Sequence, residues 1–127
     1  MKKQREIKFR AKLIGKWNIR KSNEWIFFDL KLMDEKLRRF PIDWNTVCEF
    51  TGLLDKDGKE IYEGDVLGYP KEEGGYEYYE VRWVKNGWMT VWLSYLGKEV
   101  TNYLDSDYVV LGNIYENPEL LKIKHEH

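Results

Sequence analysis

The chain has 127 residues, enough for one domain and too few for two comfortable cores. Hydrophobic residues make up 43% and aromatic residues 16%, with six Trp and nine Tyr, which excludes a disordered chain and calls for an aromatic core or binding face. Lys and Arg number 21 against 22 Asp and Glu, a net charge of −1, so there is no global attraction for nucleic acid and only a local basic patch stays open.

The first dozen residues, MKKQREIKFRAK, carry Lys2, Lys3, Arg5, Lys8, Arg10 and Lys12 against Glu6. Ile7, Phe9 and Ala11 alternate with Lys8, Arg10 and Lys12, the pattern of a half-buried strand. Its basic side is either solvated or an arm that contacts phosphates. No apolar h-region follows this start, and no run nears the roughly 20 apolar residues of a membrane helix. The expected setting is the cytoplasm, with no membrane partner.

WNIRKSNEWIFFDLKL reads as a pair of strands turning at Ser22-Asn23. The second of them is apolar on both faces, which predicts burial on both sides. LMDEKLRRFPIDWN reads as a loop or a single helical turn, because Pro41 stops a helix and biases Phe40 toward an extended backbone. TVCEFTGLL resumes a strand. Its Cys48 is the one cysteine, which makes neither an internal disulfide nor a multi-Cys zinc site and reads as a buried small hydrophobe. The two histidines, His125 and His127, stand near the C-terminus, far in sequence from that thiol.

EFTGLLDKDGKEIYEGDVL, residues 49–67, gathers acids and glycines in a way that raises calcium. An EF-hand loop has glycine at position 6, carboxylates at 1, 3 and 5, and a bidentate Glu at 12. With Gly58 at position 6, position 1 is Leu53 and position 12 is Gly64, so both key ligands are missing. DKDG between Leu53-Leu54 and Ile61-Tyr62 reads instead as a hairpin tip, and Gly64-Asp65 as a turn into the next strand. No metal is expected here. Glu72-Glu73-Gly74-Gly75 then reads as a mobile loop.

YEYYEVRWVKNGWMTVWL holds the strongest hairpin signal, Asn86-Gly87 between aromatic strands. A two-residue loop there pairs Lys85 with Trp88 and Val84 with Met89. One face then collects Tyr79, Val81, Trp83, Lys85, Trp88, Thr90 and Trp92. The other collects Tyr78, Glu80, Arg82, Val84, Met89, Val91 and Leu93. Both faces are rich in apolar groups, so the second must meet more of the same chain, another subunit, or a ligand. Arg82, Trp83, Lys85, Trp88 and Trp92 form the candidate interaction surface, either between subunits or as a stacking platform for single-stranded nucleic acid.

DYVVLGNIY reads as a last strand, and Asn117-Pro118-Glu119 as the start of a short helix with Asn at the N-cap. The class is mainly β, a small barrel or sandwich of antiparallel strands with a short C-terminal helix, in a single domain over residues 1–127. No paired carboxylates on a recognisable scaffold, HExxH, P-loop or GxSxG are present, so no enzyme, catalytic residue or cofactor is expected.

Three segments carry a family resemblance: REIKFRA (residues 5–11), EFTGLLDKDGKEIYEGDVL (residues 49–67) and VVLGNIYENPELL (residues 109–121). Together they resemble the signature blocks of the YopX family, small proteins encoded by bacteriophages and prophages. Where that family's start often continues with Trp-Asp, this chain has Lys12-Leu13. The resemblance implies a mainly β protein made in the bacterial cytoplasm during phage or prophage expression. It implies no particular activity and carries over no site residue. The resulting expectation is a non-enzymatic accessory protein that self-associates, with a host or phage protein as a further partner class. The alternative is a small β-barrel that binds nucleic acid, whose binding then weakens steeply with salt.

Overall fold

A computed structural model describes residues 6–14, 25–32, 38–94 and 96–122. The turn expected at Ser22-Asn23 and the two histidines lie outside the described residues. The chain divides into two compact units, Met1–Gly52 and Leu53–His127. Antiparallel strands dominate both, as the alternation predicts.

The first unit is built on β1 (Lys8–Lys12), β2 (Trp25–Asp29) and the start of β3 (Cys48–Leu54). β1 pairs with β2 on one side, Phe9 opposite Phe28 and Ala11 opposite Ile26, and with β3 on the other. Ala11, Phe28 and Ile42 form a buried cluster, with Phe9, Ile26, Phe40 and Val47 packed against it. The segment between β2 and β3 closes as a 3-10 turn at Trp44–Thr46, whose Thr46 Oγ1 accepts the Lys12 N–H at 2.8 Å. Cys48 is buried, and its thiol donates to the Thr46 carbonyl.

Burial on both sides of β2 does not occur. Phe28 is 3% exposed and Phe27 56%. Ile26 and Phe28 pack on the cluster, while Phe27 lies on the opposite side of the strand, where it stays exposed. The basic side of β1 is occupied rather than bare. The Arg10 guanidinium stands 4.7 Å from the centre of the Trp25 ring, the Lys12 ammonium 5.8 Å from the same ring, and the Lys8 ammonium 4.8 Å from Phe50. Lys8 also pairs with Glu6 at 3.3 Å.

The second unit begins with the end of β3, which neighbours β4 (Glu60–Tyr62). A second sheet holds β5 (Asp65–Pro70), β6 (Tyr76–Val84), β7 (Gly87–Leu93), β8 (Glu99–Tyr103) and β9 (Val109–Asn113) in the order β8-β7-β6-β5-β9. Neither sheet closes into a barrel. β8 was not legible as a strand: EVTNY has one apolar residue at its inner positions, and only the flanking turns mark it. Ile61, Leu67, Tyr79, Val81, Leu104 and Tyr108 make the core, with Trp88, Trp92 and Val110 against it. Tyr108 meets Tyr69 and Tyr79 edge to face, and its hydroxyl lies 3.2 Å from Thr90 Oγ1.

DKDG is the expected turn. Gly58 has φ +85°, and Gly58 N–H donates to the Asp55 carbonyl. The Asp55 carboxylate is buried. One oxygen accepts the N–H groups of Asp57 and Lys59 at 2.9 and 2.8 Å, and the other accepts that of Val110 at 2.9 Å. Backbone donors therefore take both oxygens. Glu63-Gly64 turns β4 into β5, where buried Asp65 accepts the Tyr62 N–H. Glu72-Glu73-Gly74-Gly75 forms a turn in which Lys71 N–H donates to the Gly75 carbonyl and Gly74 N–H to the Lys71 carbonyl. At the C-terminal end, Pro118–Lys122 is a 3-10 helix. Asn117 does not cap it through its side chain, which reaches back to accept the Asn113 N–H. A Cβ at Gly112 would collide with that carboxamide.

Candidate interaction surface

The β6–β7 hairpin turns one residue earlier than Asn-Gly predicts. Val84 pairs with Gly87 and Trp83 with Trp88, leaving Lys85 and Asn86 as the loop. Both have positive φ, 49° and 71°, the signature of a type I′ turn whose twist matches the strands. The cross-strand pairing thereby slips by two residues, not one, so every strand side chain keeps its predicted face. Only Lys85 leaves its row, for the tip.

The inner face carries Tyr79, Val81, Trp83, Trp88, Thr90 and Trp92. Val81 and Thr90 are buried, and Trp88 and Trp92 pack on the core. Trp83, near the open end of this row, is 49% exposed and meets Trp88 edge to face at 5.0 Å. Trp88 Nε1 is buried without an acceptor among the described residues.

The outer face takes its order from the registers of β6, β7 and β8. Arg82, Met89 and Tyr103 form one row, and Glu80, Val91 and Thr101 the next. Leu93 and Glu99 pair in the row after that. Arg82 is held between carboxylates from two strands. Its guanidinium donates to both oxygens of Glu99 at 2.8 and 2.9 Å and to Glu80 at 3.1 Å. The bridge to Glu99 crosses β7 diagonally and covers Val91, which is 3% exposed. Hydrogen bonds to Glu80 and then Glu99 raise the guanidinium pKa further against the opposing effect of burial, so the group is permanently charged and doubly neutralised. Beside it lies a cleft of about 200 Å³ whose lining includes Arg82, Glu80, Glu99, Leu93, the candidate residue Trp92 and, from the 3-10 helix, Leu121.

The five predicted residues therefore do not form one continuous surface. By strand alternation Arg82 lies on one face and the three tryptophans on the other, with Lys85 at the tip; Trp92 still borders the cleft beside Arg82. The face of Arg82 keeps Glu80, as expected, and gains Glu99 and Tyr103 from the unpredicted β8. The turn residues Leu96-Gly97 and Asp105-Ser106-Asp107 were the available signal for that strand.

The geometry defines a mainly β, antiparallel protein with an ion-paired outer face and exposed apolar groups beside it. Its family follows from the whole chain: the YopX protein family matches residues 2–122, and the chain belongs to it. The crystal structure of protein EF1440 from Enterococcus faecalis is similar, at 27% identity and a TM-score of 0.40, over 77% of this chain and 67% of that one. No curated protein matches. Among the described residues, no helix is long and apolar enough to cross a membrane, and no group of three or more His, Cys, Asp and Glu is placed to hold a metal ion.

Proposed function

We propose that this YopX-family protein is a phage- or prophage-encoded accessory protein of the bacterial cytoplasm that acts without catalysis, by binding copies of itself. The observation that carries this reading is the β7–β8 side of the second sheet. β8 is exposed along nearly its whole length, and Leu93, Leu96 and Tyr103 project there, Tyr103 at 80% exposure. Leu93 and Leu96 stand at one end of this margin and Tyr103 at the other, and large exposed apolar groups along a sheet margin mark a surface that another protein covers. The ion-paired Arg82 rim and apolar neighbours match the mixed composition of non-obligate interfaces. Light scattering on the purified chain over a wide concentration range tests the proposal. A mass that rises above the monomer supports it, and a strict monomer at high concentration ends it.

The nucleic-acid reading has less behind it. Arg82 already serves two carboxylates, the β1 cations sit over rings, and Trp83 and Trp88 meet each other edge to face. A host or phage protein remains the other partner class that the same margin suits.

A further inference from the structure

The two margins of the second sheet are built differently. At β9, outward N–H groups are taken by side chains of the same unit: Val110 donates to Asp55 and Asn113 to Asn117. β8 has nothing comparable among the described residues. Leu104 N–H donates to the Trp88 carbonyl, and the Asn102 carbonyl accepts from Thr90, so the even-numbered residues direct their backbone groups toward β7. By alternation, the backbone groups of Glu99, Thr101 and Tyr103 point outward from the edge. β8 is weakly protected as an edge: it has no Pro, no Lys and no bulge, its length is ordinary, and its one charged side chain is Glu99.

We infer that a second copy of this chain adds to β8, antiparallel and centred on Thr101, so that the second sheet continues across a two-fold axis. The inference rests on the self-association proposed above and names its interface. The sequence of the edge is complementary to itself in this register. Thr101 meets Thr101, Val100 meets Asn102, and Glu99 meets Tyr103, so no like charges oppose. A parallel pairing would instead set Glu99 against Glu99. The outward groups of residues 99, 101 and 103 then exchange about six backbone hydrogen bonds across the axis. The ends also match in charge. Exposed Lys98 precedes the strand and exposed Asp105 and Asp107 follow it, so each lysine arrives beside the partner's aspartates. Glu99, the one acid inside the strand, is already neutralised by Arg82. A closed pair through one isologous edge also leaves no free β8 to propagate.

Thr101 is exposed and lies on the axis, so it meets only itself. Sedimentation of the full chain compares wild type, Thr101→Lys, Thr101→Glu, and an equal mixture of the two variants. Wild type should dimerise. Each variant alone should associate at least about tenfold more weakly, because like charges face one another. The mixture should regain association as Lys meets Glu. Independently of any variant, amide exchange at Thr101 and Tyr103 in wild type should slow as concentration rises through the dimer range. If wild type dimerises but neither variant weakens it, the mixture fails to recover, or those amides keep their exchange rate, the interface is overturned while self-association stands. A monomeric wild type overturns both.

Discussion

Asp55 ties three backbone N–H groups to one carboxylate, and its acidity follows from them. Burial pushes its pKa up, but the N–H donors of Val110, Lys59 and Asp57 and the charge of Lys59 outweigh burial and leave it below the ordinary 3.8. A lowered pKa in the folded state gives stabilisation that is complete above the unfolded value and is lost as pH falls through the folded one. Asp55→Ala should cost roughly 2–4 kcal/mol in urea unfolding at neutral pH, since charged hydrogen bonds and buried N–H donors go together. The gap between wild type and variant should narrow as pH falls below about 4. A gap that stays constant to about pH 2 would show that the charge of Asp55 is not what matters. The sequence showed this residue as a turn acid. It did not show that its second oxygen reaches Val110, because that contact spans 55 positions and needs the sheet order.

The β6–β7 hairpin places an element-scale constraint on its turn. Lys85 has φ +49°, where a side chain with a full Cβ is strained by about 1 kcal/mol, and Asn86 tolerates its own positive φ. Replacing Lys85-Asn86 by Asn-Gly should therefore raise the melting temperature by a few degrees, and a fall in it would mean that the loop is not at these two residues. The tryptophans on the inner face separate by position. Trp88→Ala, cut from the core, should cost about 3–5 kcal/mol, and half-exposed Trp83→Ala less than half of that in the same denaturation assay. Equal costs would contradict the packing. Alternation made the faces legible because they depend only on parity, and a slip of two residues conserves parity. Which side of β2 is buried was not legible, because a run that is apolar on both faces does not say which face the rest of the chain covers. β8 stayed hidden because an exposed edge carries no hydrophobic period.

At the scale of the molecule, the cations of β1 and Arg82 are taken up by groups of the same chain. With Lys8, Arg10 and Lys12 on rings and Arg82 between acids, single-stranded oligonucleotides should leave tryptophan fluorescence unchanged even at low salt. A salt-sensitive quench would restore the stacking platform. The second and third of the segments that carry the family resemblance, residues 49–67 and 109–121, also meet in space. Asp55 accepts from Val110, Lys56 N–H donates to the Tyr108 carbonyl, and Ile114 N–H donates to the Gly64 carbonyl. Signature residues that look like two motifs are one seam, and the β9 edge described above is part of it. That seam has a consequence for the order in which the protein assembles. β5 to β8 are neighbours both along the chain and in the sheet, so this meander can form by local zippering while translation continues. β9 must return from beyond the meander to lie against β5, and closing that long loop is the slow, entropically costly kind of step. Until the ribosome has released residues 109–113, Asp55 lacks one of its three donors, Val110, and β5 offers a bare edge to any other nascent chain.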